Sequence, residues 1–186
     1  MSHKVVVTDY TFPSLAAEEN AAKAAGATFS AHQCKSDAEV AEVVKDADAV
    51  AVQFAAFGPL SAKAVKPGAT VIRYGVGYDN IDLIAAGEAG LKIGYVPDYC
   101  ADEVADHTAA SLLTLLRKLM PLDASVRAGD WTAVKVCKPM KPFSDTVVGF
   151  FGMGQIGSAV KARLGGFGFR FIVADPGLTQ DRADAV

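Results

Sequence analysis

The chain has 186 residues, of which 51% are hydrophobic and 21% are charged, and its formal net charge at pH 7 is −3. This length can form one sizeable core or two small ones, and the charge disfavours nucleic acid as a partner, because such binders present a basic face to phosphates. The three cysteines, Cys34, Cys100 and Cys137, form no Cys-x-x-Cys pair. We therefore expect neither disulfides nor a metal site, and we expect a reducing, cytoplasmic environment.

Membrane and secretion signals are not predicted. The N-terminal segment reaches Asp9 before a secretory apolar region could form. The longest apolar stretch, residues 109–116, is interrupted by Ser111 and Thr114 and is much shorter than a membrane span. The sequence thus predicts no membrane partner.

The first half repeats one unit, an apolar β-branched run followed by an alanine-rich helical segment, about every 22 residues. Helices are predicted at residues 14–25, 37–45, 62–65 and 83–89, with Ser36 and Glu39 as a capping box before the second and Gly26, Gly68 and Gly90 as C-caps. Strands are predicted at residues 5–8, 28–31, 49–53, 70–74 and 92–95. Residues 1–98 are therefore predicted to form a flavodoxin-like α/β domain with a parallel sheet.

Residues 99–186 are predicted to form part of a second domain. A helical pattern runs from residue 101 to Pro121, and a stretch without periodicity, residues 129–145, follows. Strands at 146–151 and 169–174 flank a helix at 155–164. This βαβ order predicts the beginning of a Rossmann dinucleotide-binding domain.

A G-x-G-x-x-G motif lies between the first strand of this second domain and its helix. Its residues are Gly152, Met153, Gly154, Gln155, Ile156 and Gly157. The glycines are expected to allow a tight turn, close approach of a pyrophosphate and close packing of the helix, whose N-terminus attracts phosphate. Asp175 lies 18 residues after Gly157 and can bind a ribose diol but would repel a 2′-phosphate. The pattern favours NAD over NADP.

A second glycine pair, Gly75 and Gly77, follows the fourth predicted strand. Two glycines separated by one residue can expose backbone N–H groups as a nest for an anion such as a carboxylate. A purely structural turn is the alternative. The acidic and amide residues that follow are expected to cap the next helix, and Arg73 and Arg127 are expected to be ion-pair partners on the surface or at a hinge.

Four motifs in this order resemble those of the D-2-hydroxyacid dehydrogenases, most closely the C-terminal-binding-protein-like branch near phosphoglycerate dehydrogenase. They are residues 75–82, residues 96–107, the Arg-Ala-Gly-Asp-Trp segment at 127–131, and residues 152–157. The resemblance extends over essentially the whole chain. It implies hydride transfer between NAD and C2 of a small 2-hydroxy or 2-oxo acid.

The resemblance also implies roles for particular residues. Gly75, Val76 and Gly77 would bind the substrate carboxylate, Gln53 would face the substrate, and Val104 would lie against the nicotinamide. The cofactor would be held by Gly152, Gly154, Gln155, Ile156, Gly157 and Asp175. The substrate's identity stays open.

The family's catalytic arginine, glutamate and histidine would lie after Val186, so no catalytic residue is predicted within these residues and the chain is expected to be the first part of a longer protein. His107, a lone histidine in a predicted helix, is interpreted as a packing or capping residue. A homodimer through residues 101–145 is implied by the resemblance. Two alternatives are a non-catalytic NAD(H)-sensing protein of the corepressor type and an S-adenosylmethionine-dependent methyltransferase, which the first domain disfavours.

Overall fold

The computed structural model describes residues 3–179 and 181. The chain divides into two units, with the boundary between Tyr99 and Cys100. Among the described residues, no helix is both long enough and apolar enough to cross a membrane.

The first unit is built on a five-stranded parallel sheet whose strand order is β2-β1-β3-β4-β5. All four neighbouring pairs are parallel, and this is the order of a flavodoxin-like fold. The predicted α/β class is therefore confirmed. The strands are β1 (Lys4–Val7), β2 (Thr28–Ala31), β3 (Ala49–Val52), β4 (Thr70–Arg73) and β5 (Lys92–Tyr95).

Four helices accompany the sheet: α1 (Ala16–Ala24), α2 (Asp37–Val43), α3 (Pro59–Ala64) and α4 (Leu83–Glu88). One core cluster joins the central strands to α2 and α3 through fully buried side chains such as Val40, Val52, Phe57 and Val71. Because apolar side chains project from both faces of β1 and β3, the sheet must be covered on each side. The carboxyl ends of these strands lie at one edge of the sheet, where α/β folds bind ligands.

Local capping differs from the prediction in two places. Glu39 N–H donates to the Ser36 hydroxyl (3.3 Å), but the Glu39 carboxylate accepts from Lys35 N–H (2.7 Å) instead of Ser36 N–H. Gly68 is not the C-cap of α3, because that helix ends at Ala64. Gly68 instead lies in a turn closed by the hydrogen bond from Ala69 N–H to Lys66 O (3.0 Å), where the preceding Pro67 favours a turn over a helix end.

Asp37 explains why α3 begins at Pro59, earlier than the sequence predicted. Its carboxylate accepts hydrogen bonds from the N–H groups of Gly58 (2.8 Å), Leu60 (3.0 Å) and Ser61 (3.0 Å), and from the Ser61 hydroxyl. Burial by itself would raise the pKa of Asp37, but these hydrogen bonds together lower it below its usual value. A residue 21 positions before Gly58 therefore caps this helix.

We expect Asp37→Asn to lower the free energy of unfolding by about 1 kcal/mol at neutral pH, the usual scale for a lost cap. Because the folded-state pKa of Asp37 is lowered, its stabilisation is present above the unfolded pKa and disappears as pH falls through the folded pKa. The difference from wild type should therefore shrink below about pH 4. Urea unfolding across this range measures it.

Glu42→Gln is the control, because Glu42 is an exposed acid on the same helix that pairs with Lys45 at the surface (2.6 Å). Its effect should stay within about 0.5 kcal/mol at every pH. An Asp37→Asn loss that does not depend on pH would contradict the capping account.

The second unit contains α5 (Ala101–Leu116), α6 (Leu119–Arg127), α7 (Ala133–Cys137), β6 (Val147–Phe151), α8 (Gln155–Leu164) and β7 (Arg170–Ala174). Strands β6 and β7 are parallel, as in a βαβ unit. Buried residues from α5, from α8 and directly before β7 form a separate core: Ala105, Ala109, Val160, Leu164 and Phe169. Arg163 on α8 adds ion pairs to Asp102 (2.9 Å) and Asp106 on α5.

The long helix predicted to reach Pro121 is interrupted at Lys118, which has left-handed backbone angles (φ 52°, ψ 38°). A continuous helix would need a hydrogen bond from the nitrogen of Pro121 to the carbonyl of Arg117, and proline has no N–H to donate. In the first turn of α6 that missing N–H costs nothing. The segment predicted to lack regular structure contains α7 and a short 3-10 helix, Phe143–Asp145.

Candidate functional site

The loop after β4 presents the glycine pair at the carboxyl edge of the first sheet. Gly75 is buried and has a φ of +143°, whereas Val76 is half-buried and Gly77 is exposed. The hydrogen bond from Tyr74 N–H to Val52 O (2.8 Å) ties the loop to β3, and the one from Val96 N–H to Gly75 O (3.2 Å) ties it to the end of β5. The predicted carboxylate-binding residues thus form one loop with a defined backbone.

Arg73, the last residue of β4, folds back over this loop. A Cβ atom placed on Gly75 would lie 1.6 Å from Nη1 of Arg73, so only glycine leaves room for the guanidinium. The Nε atom of Arg73 is buried and has no hydrogen-bond partner among the described residues. A buried donor left unpaired costs about 1–3 kcal/mol, and more when it is charged. Arg73 therefore retains a hydrogen-bond donor that no described residue uses.

The expected surface pairing holds for only one of the two arginines. Arg127 pairs with Asp123 one helical turn away (Nε to Oδ2, 2.7 Å). Arg73 has no ion pair within residues 3–179 and 181, and its Cζ atom lies 6.0 Å from the centre of the exposed Phe54 ring. Arg73 was not predicted from the sequence to contact a ligand. Its position two residues before Gly75 was the available signal.

Gln53 lies directly after β3 at the same edge of the sheet and is 7% exposed. Its Oε1 accepts from Thr11 N–H (2.6 Å), and its Nε2 donates to Thr11 Oγ1 (3.0 Å). Both ends of the side chain are therefore occupied by the loop after β1. The predicted contact between Gln53 and a substrate stays a prediction.

Residues after the glycine pair hold the loop in place instead of forming a ligand set. Asp82 is the N-cap of α4 and accepts from Ile84 N–H and Ala85 N–H (both 3.0 Å), as predicted for a capping carboxylate. Asn80 does not cap the helix, because its Nδ2 donates to Ala55 O (2.8 Å) after β3. The loops after β3 and β4 are thereby joined.

Tyr74 connects the same loop to α1. Its hydroxyl donates to Oε1 of Glu18 (3.2 Å), and its ring meets the Phe12 ring edge-on at 5.2 Å. Burial, followed by the nearby Glu18 carboxylate, raises the pKa of Tyr74 well above its usual value. Tyr74 therefore stays neutral at physiological pH and acts here as a hydrogen-bond donor.

The G-x-G-x-x-G motif turns the chain from β6 into α8 in the second unit. Gly152 has a φ of +98°, and its N–H donates to Ala174 O (2.8 Å). A Cβ on Gly157 would lie 2.6 Å from the carbonyl oxygen of Gly152, so the helix approaches the turn closely. Space beside Gly154 is open to at least 4 Å. These three arrangements correspond to the turn, the close packing and the room for a pyrophosphate that the motif requires.

Asp175 lies next to this glycine turn. Its Oδ2 accepts from Met153 N–H (2.6 Å), and its Oδ1 accepts from Gly177 N–H (2.7 Å). Gln155 is exposed in the first turn of α8, whereas Ile156 packs on the core of the unit. The structure thus brings the acidic residue and the glycine turn together, and Val104 lies apart from them in sequence, 38% exposed on α5.

Among the described residues, His32 and His107 contribute to neither the 75–77 loop nor the G-x-G-x-x-G turn. His107 is exposed on α5, and His32 lies beside Ser30, with Nε2 3.2 Å from Oγ. In the part of the chain that the structure describes, no group of three or more His, Cys, Asp or Glu side chains could hold a metal ion.

Comparison with known proteins agrees with this arrangement. Residues 5–181 match the model of the D-isomer specific 2-hydroxyacid dehydrogenase catalytic domain. A D-lactate dehydrogenase from Aquifex aeolicus, solved with NAD and lactic acid, has a TM-score of 0.79 at 22% identity, covering 95% of this chain and 53% of that one.

Two relatives are similar in sequence. D-3-phosphoglycerate dehydrogenase from Mycobacterium leprae is 34% identical over 146 residues, which are 75% of this chain and 26% of the relative. Glyoxylate reductase from Thermococcus litoralis is 35% identical over 107 residues, which are 55% of this chain and 32% of the relative. The chain thus spans about a quarter to a third of these relatives and about half of the solved structure. Because the family model matches nearly the whole chain, the chain belongs to the D-isomer-specific 2-hydroxyacid dehydrogenase family.

Proposed function

We propose that this protein takes part in hydride transfer between a nicotinamide cofactor and C2 of a small 2-hydroxy or 2-oxo acid. The observation that carries the proposal is the guanidinium of Arg73, with its buried, unpartnered Nε, folded over the 75–77 loop. A planar guanidinium beside free backbone N–H groups is well suited to a carboxylate, which both can hydrogen bond. Val76 and Gly77 would supply the N–H groups.

NAD is the proposed cofactor, and it supplies the hydride acceptor or donor when bound. Gly154, Gln155 and the N-terminus of α8 would hold its pyrophosphate. Asp175 would accept hydrogen bonds from the adenosine ribose, because it already lies against the glycine turn at Met153 N–H. The solved relative from Aquifex aeolicus, which contains NAD and lactic acid, supports this proposal.

A direct assay tests the proposed activity. A protein that contains the expected catalytic arginine, glutamate and histidine in addition to residues 1–186 should oxidise NADH in the presence of at least one of glyoxylate, pyruvate, hydroxypyruvate and phosphohydroxypyruvate, whereas residues 1–186 alone should show no turnover. Gly154→Val should abolish turnover by filling the open space beside the glycine turn, and Leu60→Ala, an exposed change on α3, should leave it intact. NADH binding by that longer protein without turnover on any 2-oxo acid would favour the non-catalytic NAD(H)-sensing alternative instead.

We further propose that the protein is a cytoplasmic homodimer that associates through residues 101–145. Large apolar side chains are exposed on α5, α6 and the segment before α7: Leu115 (74%), Met120 (68%) and Trp131 (89%). Exposed apolar groups of this size favour a protein partner. The three cysteines are free, which suits a reducing compartment.

Trp131→Asp is expected to raise the dimer dissociation constant by about 30-fold or more, because a tryptophan at the centre of an interface commonly contributes at least 2 kcal/mol. Sedimentation velocity over a dilution series measures the shift. Leu60→Asp is the matched control, since Leu60 is exposed (55%) on α3 outside the proposed interface. A monomer at every concentration of the wild-type protein, or equal shifts for both variants, would rule out this interface.

A further inference from the structure

Asp9 is a buried carboxylate at the carboxyl end of β1, 6% exposed. Its Oδ1 accepts hydrogen bonds from the Thr8 hydroxyl (2.8 Å) and from Gln53 N–H (3.0 Å). Its Oδ2 accepts from Phe54 N–H (2.6 Å) and Ala55 N–H (3.0 Å). Four donors therefore converge on one side chain, and three of them are consecutive backbone N–H groups.

Consecutive N–H groups that point to a common centre form an anion-binding nest. The first unit thus has one such turn in its structure, and the proposed function requires a second at the same edge of its sheet. The first, residues 53–55 after β3, is filled by Asp9 and is named here the Asp9 turn. The second is the 75–77 loop after β4, where Arg73 retains an unpartnered donor.

We propose that Asp9 is a positioning residue: it fills the nest after β3 with the chain's own carboxylate, and this directs a substrate carboxylate to the 75–77 loop. The filled nest is supported by the hydrogen bonds of Asp9. The effect on the substrate carboxylate rests on the proposed function. An unfilled Asp9 turn would be a competing anion site at the same edge of the sheet, only one strand away from the loop over which Arg73 lies.

The contacts between the loop after β1 and the Asp9 turn run in both directions. Asp9 binds the backbone of the Asp9 turn, and Gln53 in turn binds Thr11 through both ends of its amide. These hydrogen bonds fix the backbone position of Phe54 in the turn. Phe54 is 66% exposed, and the centre of its ring lies 6.0 Å from Cζ of Arg73. Loss of Asp9 should therefore disturb the surroundings of Arg73 as well as the turn itself.

Amide hydrogen exchange gives a direct test that does not depend on activity. In the wild-type protein the amides of Gln53, Phe54 and Ala55 should be protected, and Asp9→Ala should remove that protection. Asp9→Ala also leaves a cavity about the size of a carboxylate, so added formate should restore protection at these three amides. Formate should raise the melting temperature of Asp9→Ala more than that of wild type, as binding to the folded state requires.

Two variants serve as controls. Asp9→Asn keeps the side chain's volume but replaces one acceptor oxygen with a donor. It should lose protection at Gln53 or at Phe54 and Ala55, whichever faces the amide nitrogen, and it should show no formate rescue because it leaves no cavity. Asp37→Ala removes a carboxylate that also accepts four hydrogen bonds, but at the start of α3. It should expose the amides of Gly58, Leu60 and Ser61 and leave residues 53–55 protected.

A kinetic measurement tests the positioning role. Asp9→Ala should raise KM for glyoxylate about tenfold or more, as small misplacements of binding groups commonly do, while the Kd for NADH stays unchanged. Formate should bring the ratio of variant to wild-type KM back toward one. Asp37→Ala should lower stability without changing this KM.

The outcomes separate the two halves of the proposal. Unchanged protection at residues 53–55 in Asp9→Ala, or no rescue by formate, overturns the filled nest. Deprotected amides with an unchanged KM overturn the positioning role. If Asp9→Ala does not fold, Asp9→Asn decides both points: full protection at all three amides overturns the filled nest, and an unchanged KM overturns the positioning role. A wild-type protein that contains the expected catalytic residues and shows no turnover on any 2-oxo acid contradicts the proposed function, and the exchange data still decide the role of Asp9 in the turn.

Discussion

Gly75→Ala is expected to weaken the binding of a 2-oxo acid by about 10- to 100-fold, the range that corresponds to one lost hydrogen bond to a charged group. The added methyl group would occupy the place of the Arg73 guanidinium, whose Nη1 lies 1.6 Å from that position. The side chain of Arg73 must then leave the loop. KM for the best substrate and the Kd for NADH, measured on the same preparation, show whether the loss is confined to the substrate.

Further variants separate the effect of displacing Arg73 on substrate binding from the effect of backbone strain at Gly75. Arg73→Ala should cause a similar loss, and the double variant should be no worse than the more damaging single variant, because both changes remove the same contact. Gly77→Ala is the matched control. A Cβ there meets only Oδ2 of Asp79 at an ordinary 3.7 Å, so the change should cost little. Losses that simply add in the double variant would show that Gly75 acts independently of Arg73.

Asp175→Ala is expected to reduce the preference for NADH over NADPH by about 100-fold, since an uncompensated like charge against a phosphate costs several kcal/mol. The carboxylate lies at the glycine turn through Met153 N–H and is followed by Pro176 and Gly177, neither of which is cationic. Fluorescence titration of both cofactors measures the ratio. Asp175→Asn, which keeps the shape and removes the charge, should move the ratio in the same direction.

Asp145→Ala controls for the loss of one negative charge in the same unit, because Asp145 lies in the 3-10 helix before β6. It should leave the cofactor ratio unchanged. Tighter binding of NADPH than of NADH by the wild-type protein would contradict the role given to Asp175.

Features carried by local sequence were predictable. The five parallel strands, the βαβ unit and the position of the glycine turn follow from hydrophobic periodicity and turn residues, each of which acts over a few neighbours. The capping role of Asp82 was also predictable, because its partners are two and three residues away. The break at Lys118 could have been anticipated from Pro121, whose missing N–H excludes a continuous helix.

Contacts between residues distant in the chain were not predictable in this way. Asp37 caps a helix that begins more than twenty residues later, and Gln53 faces Thr11 across 42 positions. Gly75 has a tighter steric demand than Gly77, because its Cβ position lies 1.6 Å from Nη1 of Arg73. Sequence spacing contains no information on which side chain folds over which turn.

The sequence by itself determined the class of fold, the family and the two glycine turns, because periodicity, composition and motif order are properties of neighbouring residues. Only the tertiary structure decided that Arg73 covers Gly75 with an unpartnered Nε and that Asp9 fills the turn after β3. In a parallel sheet the ends of neighbouring strands meet although long helical connections separate them in sequence. Groups that converge there are therefore placed by the packing of the sheet, and their chemistry emerges only when the strands lie side by side.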